Sequence, residues 1–112
     1  MRNVRTGPLA RRLRGLPTVE LRGDRVPVAA TRRARLLGLS LLDRDAAGTG
    51  LLIPRCRSVH TFGMRFGLDL VFLNAAMEPV SIRQGVPAGR IAIERRARAV
   101  LELPVGGPGA RP

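Results

Sequence analysis

The segment Leu68–Leu73, Leu-Asp-Leu-Val-Phe-Leu, is apolar on both faces of an extended chain except at Asp69. Side chains alternate across a strand, so a run that is apolar at odd and even positions alike must be covered from two sides. That reading makes 68–73 a central strand. It also leaves one acid to be satisfied in place by hydrogen bonds or by an Arg partner, with Arg65 and Arg57 as the candidates.

The flanking patterns are short and strand-like. Thr18–Leu21 alternates, Gly23-Asp24 reads as a turn, and Val26 and Val28 share a face of a second strand that Pro27 confines to an edge. Leu51–Ile53 is a strand stopped by Pro54. The spacing predicts another over Cys56–Phe62, with Cys56, Ser58, His60 and Phe62 on one face. Val80 with Ile82, Ile91 with Ile93, and Ala99 with Leu101 and Leu103 continue the two-residue period. One short helix is expected near residues 31–37, capped by Thr31 and ended by Gly38. The apolar patch from Leu36 to Leu42 should dock on the sheet, and 43–48 reads as loop.

About eight short strands and one helix, with closely spaced turns, predict a mainly β fold, α+β at the margin. The architecture expected is a small antiparallel β-sandwich or partly closed barrel. At 112 residues there is room for one core. The division expected is an Arg-rich mobile arm over 1–15, one β-rich domain over 16–106 and a flexible Gly/Pro-rich tail over 107–112. Trp and Tyr are absent, so Phe62, Phe66 and Phe72 are the bulky pieces available to that core.

Formal net charge is +12 and every basic side chain is Arg. Non-specific attraction to polyanions that fades with salt is therefore expected. A specific version runs through the N-terminal arm, with Arg5, Arg11, Arg12 and Arg14 as polyanion-binding candidates. Against it stand the spread of Arg along the chain and the scarcity of aromatics for stacking. A lone cysteine forms no internal disulfide. No stretch is long and apolar enough for a membrane span, and the N-terminus lacks the apolar run of a secretory signal, so a cytoplasmic location is the expectation.

Four motifs resemble those of a small prokaryotic family, domain of unknown function 192. They are Ala30-Thr31-x-x-x-Arg35-x-x-Gly38-Leu39; Gly50-Leu51-Leu52-Ile53; His60-Thr61-Phe62-Gly63-Met64-Arg65-Phe66-x-Leu68-Asp69-x-x-Phe72-Leu73; and Ala99-Val100-Leu101-Glu102-Leu103-Pro104-x-Gly106. The resemblance covers roughly Val19 to Gly106. It implies a compact, mostly β domain with a short helix after the first hairpin, and it implies no activity. The chain departs from the pattern at Gly67, where Pro is usual, and at His60-Thr61-Phe62, where many members have Trp-Met-Lys.

Polar residues set inside apolar strands are the candidates for function. Asp69 and Glu102, with His60 and Arg65 nearby in sequence, are the expected ligand-binding residues of a non-catalytic binding or accessory module. A small polar ligand or a partner protein would be its target. If the carboxyl groups of Asp69 and Glu102 lay about 5–9.5 Å apart, they would instead suit an acid–base pair of a hydrolase. Cys56 and His60 would stand ~13 Å apart on a straight strand, too far for a nucleophile and its base. One Cys and one His without ligand spacing point to no metal site, and no cofactor is implied.

Overall fold

A computed structural model describes residues 9–105. Eight strands and two short helices follow one another among these residues: β1 (Thr18–Leu21), β2 (Asp24–Pro27), α1 (Arg32–Leu37), α2 (Arg44–Ala47), β3 (Leu51–Pro54), β4 (Ser58–His60), β5 (Leu68–Leu73), β6 (Pro79–Val86), β7 (Ile91–Ile93) and β8 (Ala99–Pro104). The fold is mainly β, built from antiparallel pairs and not closed into a barrel.

The central sheet has the order β3-β8-β5-β6. β5 and β8 are its inner strands, as the two-sided apolar character of 68–73 predicts. On one face lies the main core, where Leu51, Leu68, Leu70, Phe72 and Val100 meet Leu13, Ala34, Leu39, Ala47, Val59 and Met64. The opposite face, with Leu52, Val71, Leu73 and Leu101, packs against Val26 and against the partly buried Val19 and Leu21 of the β1–β2 hairpin. The ribbon β4–β7 is a separate antiparallel pair, and its Val59 and Ala92 reach the main core.

Several local details differ from the sequence reading. The hairpin turn is Arg22-Gly23, since Leu21 pairs with Asp24; both turn residues have positive φ, as a two-residue turn matched to strand twist requires. The loop expected at 43–48 contains α2, because Asp43 adopts an extended cap conformation ahead of the good helix formers Ala46 and Ala47, and Gly48 ends the turn. The strand expected over Cys56–Phe62 is only Ser58–His60. Its inner face is Val59 and Thr61, so Phe62 is 50% exposed instead of joining the core. Leu36 and Leu41 also face outward, while Leu39 and the partly buried Leu42 dock on the main core.

Of the stretch read as an arm, residues 1–8 lie outside the described residues, as does the tail from 107. Residues 11–13 form a single 3₁₀ turn whose Leu13 is buried in the main core.

Candidate functional site

The motif around α1 is explained by its contacts. Thr31 caps the helix, its hydroxyl accepting a hydrogen bond from the Ala34 N–H at 3.0 Å. Arg35 reaches from α1 to the end of β3, donating to the carbonyls of Pro54 and, at 3.3 Å, Arg55. Gly38 ends the helix with φ +55 and ψ −129, a conformation that disfavours a side chain. The Arg12 guanidinium crosses from the N-terminal turn and donates to the carbonyls of Gly38 and Ser40. These links fix the C-terminal end of α1 over one end of the β3–β8 pair.

Beneath that end lies a pocket of about 260 Å³, lined by Arg35, Gly38, Ile53, Cys56, His60 and Glu102 among others. Glu102 stands on β8 between Leu51 of β3 and Leu70 of β5 and is 3% exposed. Its Oε1 is buried and has no hydrogen-bond partner among the described residues. Burial pushes its carboxyl up to about 7, against the opposing effect of a backbone hydrogen bond from Leu39. An acid in this state is part neutral and part charged near neutral pH. It can offer an O–H to an acceptor or accept from a donor.

The other expected site residues are dispersed. His60 lines the same pocket from its exposed rim; it stacks on Phe62, with ring centroids 4.9 Å apart, and its Nδ1 accepts from the Phe62 N–H at 3.2 Å. Arg65 is paired with Asp43 at 2.9 Å on the surface, so it is not the partner of Asp69. Asp69 is satisfied by backbone: its Oδ1 accepts the Gly85 N–H at 2.8 Å, where the β5–β6 register shifts. It is a clamp on an irregular strand pair.

Asp69 pairs with Leu103, and Glu102 with Leu70, across β5 and β8. Directly paired residues share a sheet face and successive residues alternate, so Asp69 and Glu102 project from opposite faces. The acid–base pair considered from the sequence is therefore ruled out by the register. Among the arm residues, Arg11 and Arg14 are exposed and Arg12 is committed to the α1 terminus, while Arg5 lies outside the described residues. The Cys56 thiol is raised, chiefly by burial, and donates to the Ser58 carbonyl at 3.2 Å, the opposite of an activated thiolate.

Arg35 and Gly38 are not among the site residues expected from the sequence, and Cys56 enters there only as a nucleophile set aside on distance. The signal for two of them was present in the Thr31-to-Leu39 motif, whose Arg and Gly bracket the pocket. Thr61 is a further buried polar residue. Its hydroxyl donates to the Pro87 carbonyl at 2.7 Å and accepts the Arg90 N–H at 2.8 Å, tying the β6–β7 loop to the end of β4.

No helix among the described residues is long and apolar enough to cross a membrane. A search of curated proteins found no match. A crystal structure of a protein of unknown function from Novosphingobium aromaticivorans DSM 12444 is similar, with a TM-score of 0.57 and 18% identity over 80% of this chain and 71% of that one. At that identity the likeness concerns the fold alone. The family profile described as DUF192, uncharacterised ACR, matches residues 18–108. With most of its length matched, this chain belongs to the domain of unknown function 192 family.

Proposed function

We propose that the domain is a non-catalytic binding module whose site is the Glu102 pocket, and that it takes a small hydroxyl-bearing ligand. The observation that carries this reading is the Glu102 carboxyl, a side chain in the pocket wall whose buried Oε1 has no partner among the described residues. A buried polar atom without a partner costs roughly 1–3 kcal/mol. A ligand hydroxyl can donate to that oxygen, or accept from it when the acid is protonated. A cationic ligand is disfavoured by Arg35 in the pocket wall and by the net charge of +12.

The volume of about 260 Å³ suits a ligand of a few heavy atoms, since pockets for drug-sized molecules run about 300–1,000 Å³. The non-catalytic reading is supported by the separation of Asp69 from Glu102 and by the protonated state favoured for Cys56.

The test is ligand-observed NMR with glycerol, erythritol and ribose, on the unmodified protein and on Glu102→Leu. Binding of at least one polyol that disappears in the folded Glu102→Leu variant is the expected result. If no polyol binds, or if Glu102→Leu binds equally well, the reading is wrong.

A further inference from the structure

A second cavity, of about 420 Å³, is lined by Arg55, Cys56, Arg57, Ala97 and Arg98. Cys56 belongs to the walls of both cavities. Three guanidinium-bearing residues thus surround a cleft next to the Glu102 pocket.

None of these three arginines takes part in an ion pair among the described residues. The nearby acid Glu94 is already used, by Arg96 at 2.9 Å and Arg83 at 3.8 Å. An anion bound in the cleft would supply the counter-charge that these three residues lack among the described residues.

Their backbones are also pinned. The Arg57 carbonyl accepts the Glu94 N–H at 2.8 Å, and the Arg98 carbonyl accepts the Cys56 N–H at 3.2 Å. The Arg55 carbonyl accepts from the Arg35 guanidinium at 3.3 Å. Three short segments are thereby cross-linked into one platform, and Ala97 between them is fully buried. Such a platform presents its guanidinium groups from fixed origins, which lowers the ordering cost of binding.

We infer that Arg55, Arg57 and Arg98 form an anion-binding cleft that takes the phosphate of a small phosphate ester, whose hydroxyl-bearing remainder extends past Cys56 to Glu102. Guanidinium groups bind phosphate through paired, charge-assisted hydrogen bonds, and several on one phosphate give more than a single surface contact. The proposal rests on the reading of the Glu102 pocket only for the hydroxyl end of the ligand; the anion cleft stands on the arginines alone.

The experiment uses the full chain at about 0.15 M salt, where attraction to a merely basic surface is largely screened. Inorganic phosphate and ribose 5-phosphate are titrated by calorimetry and by backbone amide NMR shifts. The variants are Arg55→Gln with Arg57→Gln and Arg98→Gln, and Arg32→Gln with Arg33→Gln and Arg95→Gln as a control that loses the same charge from exposed positions. Glu102→Leu is the third.

Phosphate is expected to move the amides of residues 55–57 and 97–98 and to bind the control and Glu102→Leu normally. The cleft variant should lose roughly tenfold or more in affinity. Ribose 5-phosphate should bind tighter than phosphate, with the advantage lost in Glu102→Leu. Equal losses in the cleft and control variants, or amide shifts scattered over the basic surface, would overturn the cleft. If phosphate behaves as expected and ribose 5-phosphate gains nothing over it, the cleft stands and the Glu102 reading fails.

Discussion

Gly38 and Glu102 face each other so closely that a Cβ on Gly38 would stand 3.0 Å from Oε1 of Glu102. The residue that ends α1 is thus also the residue that leaves room for the buried carboxyl. One position meets a backbone requirement, φ +55, and a steric one.

Gly38→Ala should therefore fail on both counts. The backbone conformation alone costs about 1–3 kcal/mol for a residue with a side chain, and the new methyl presses on Glu102. Chemical denaturation should show that loss of stability, and polyol binding should fall with it. A variant as stable as the parent would contradict the described approach of α1 to β8.

Stability should fall as pH rises towards and through 7. The folded-state value for Glu102, about 7, lies above its ordinary value of 4.5, so the folded protein holds a proton that the unfolded chain has released. The contribution is fully present below the unfolded value and is lost as pH passes the folded one. Its size is of order 3 kcal/mol. Denaturation midpoints between pH 4.5 and 8 should decline in the parent, and Glu102→Gln should flatten that part of the curve. A slope unchanged by Glu102→Gln would show that other groups carry it.

Arg12→Ala removes the donor to the Gly38 and Ser40 carbonyls and should destabilise by about 1–3 kcal/mol. Arg12→Lys should restore only part of the loss, because an ammonium does not reproduce the guanidinium fork. An unfolding free energy unchanged in Arg12→Ala would return Arg12 to the set of arginines free for an anionic partner.

Asp69→Ala should cost about 1 kcal/mol by leaving the Gly85 N–H without its acceptor. Polyol binding should not change, since Asp69 projects from the sheet face opposite Glu102. Loss of binding with the fold intact would move the site to Asp69.

The sequence made the centre of the fold readable because its signals were local. Residues 68–73 need cover on both faces, and Thr31 with Gly38 brackets α1 at its observed length. The failures were also local in origin. Asp43 resembles any loop acid until Arg65 is seen to pair with it and α2 to follow it. Phe62 continues the alternation of Ser58 and His60, but that face of the β4–β7 ribbon points outward and Val59 and Thr61 point in. Glu102 was legible as an acid in an apolar strand. Its separation from Asp69 was not, because relative faces on two strands depend on pairing register, which only the folded sheet defines.

The central claim is that the Glu102 carboxyl is withdrawn from water and left without a full set of partners. Its side-chain carboxyl carbon can be followed by 13C NMR across a pH titration of the folded protein. A midpoint near 7 is the result the account predicts. A midpoint at the ordinary value of 4.5 would contradict it, and with it the assignment of the pocket as a binding site.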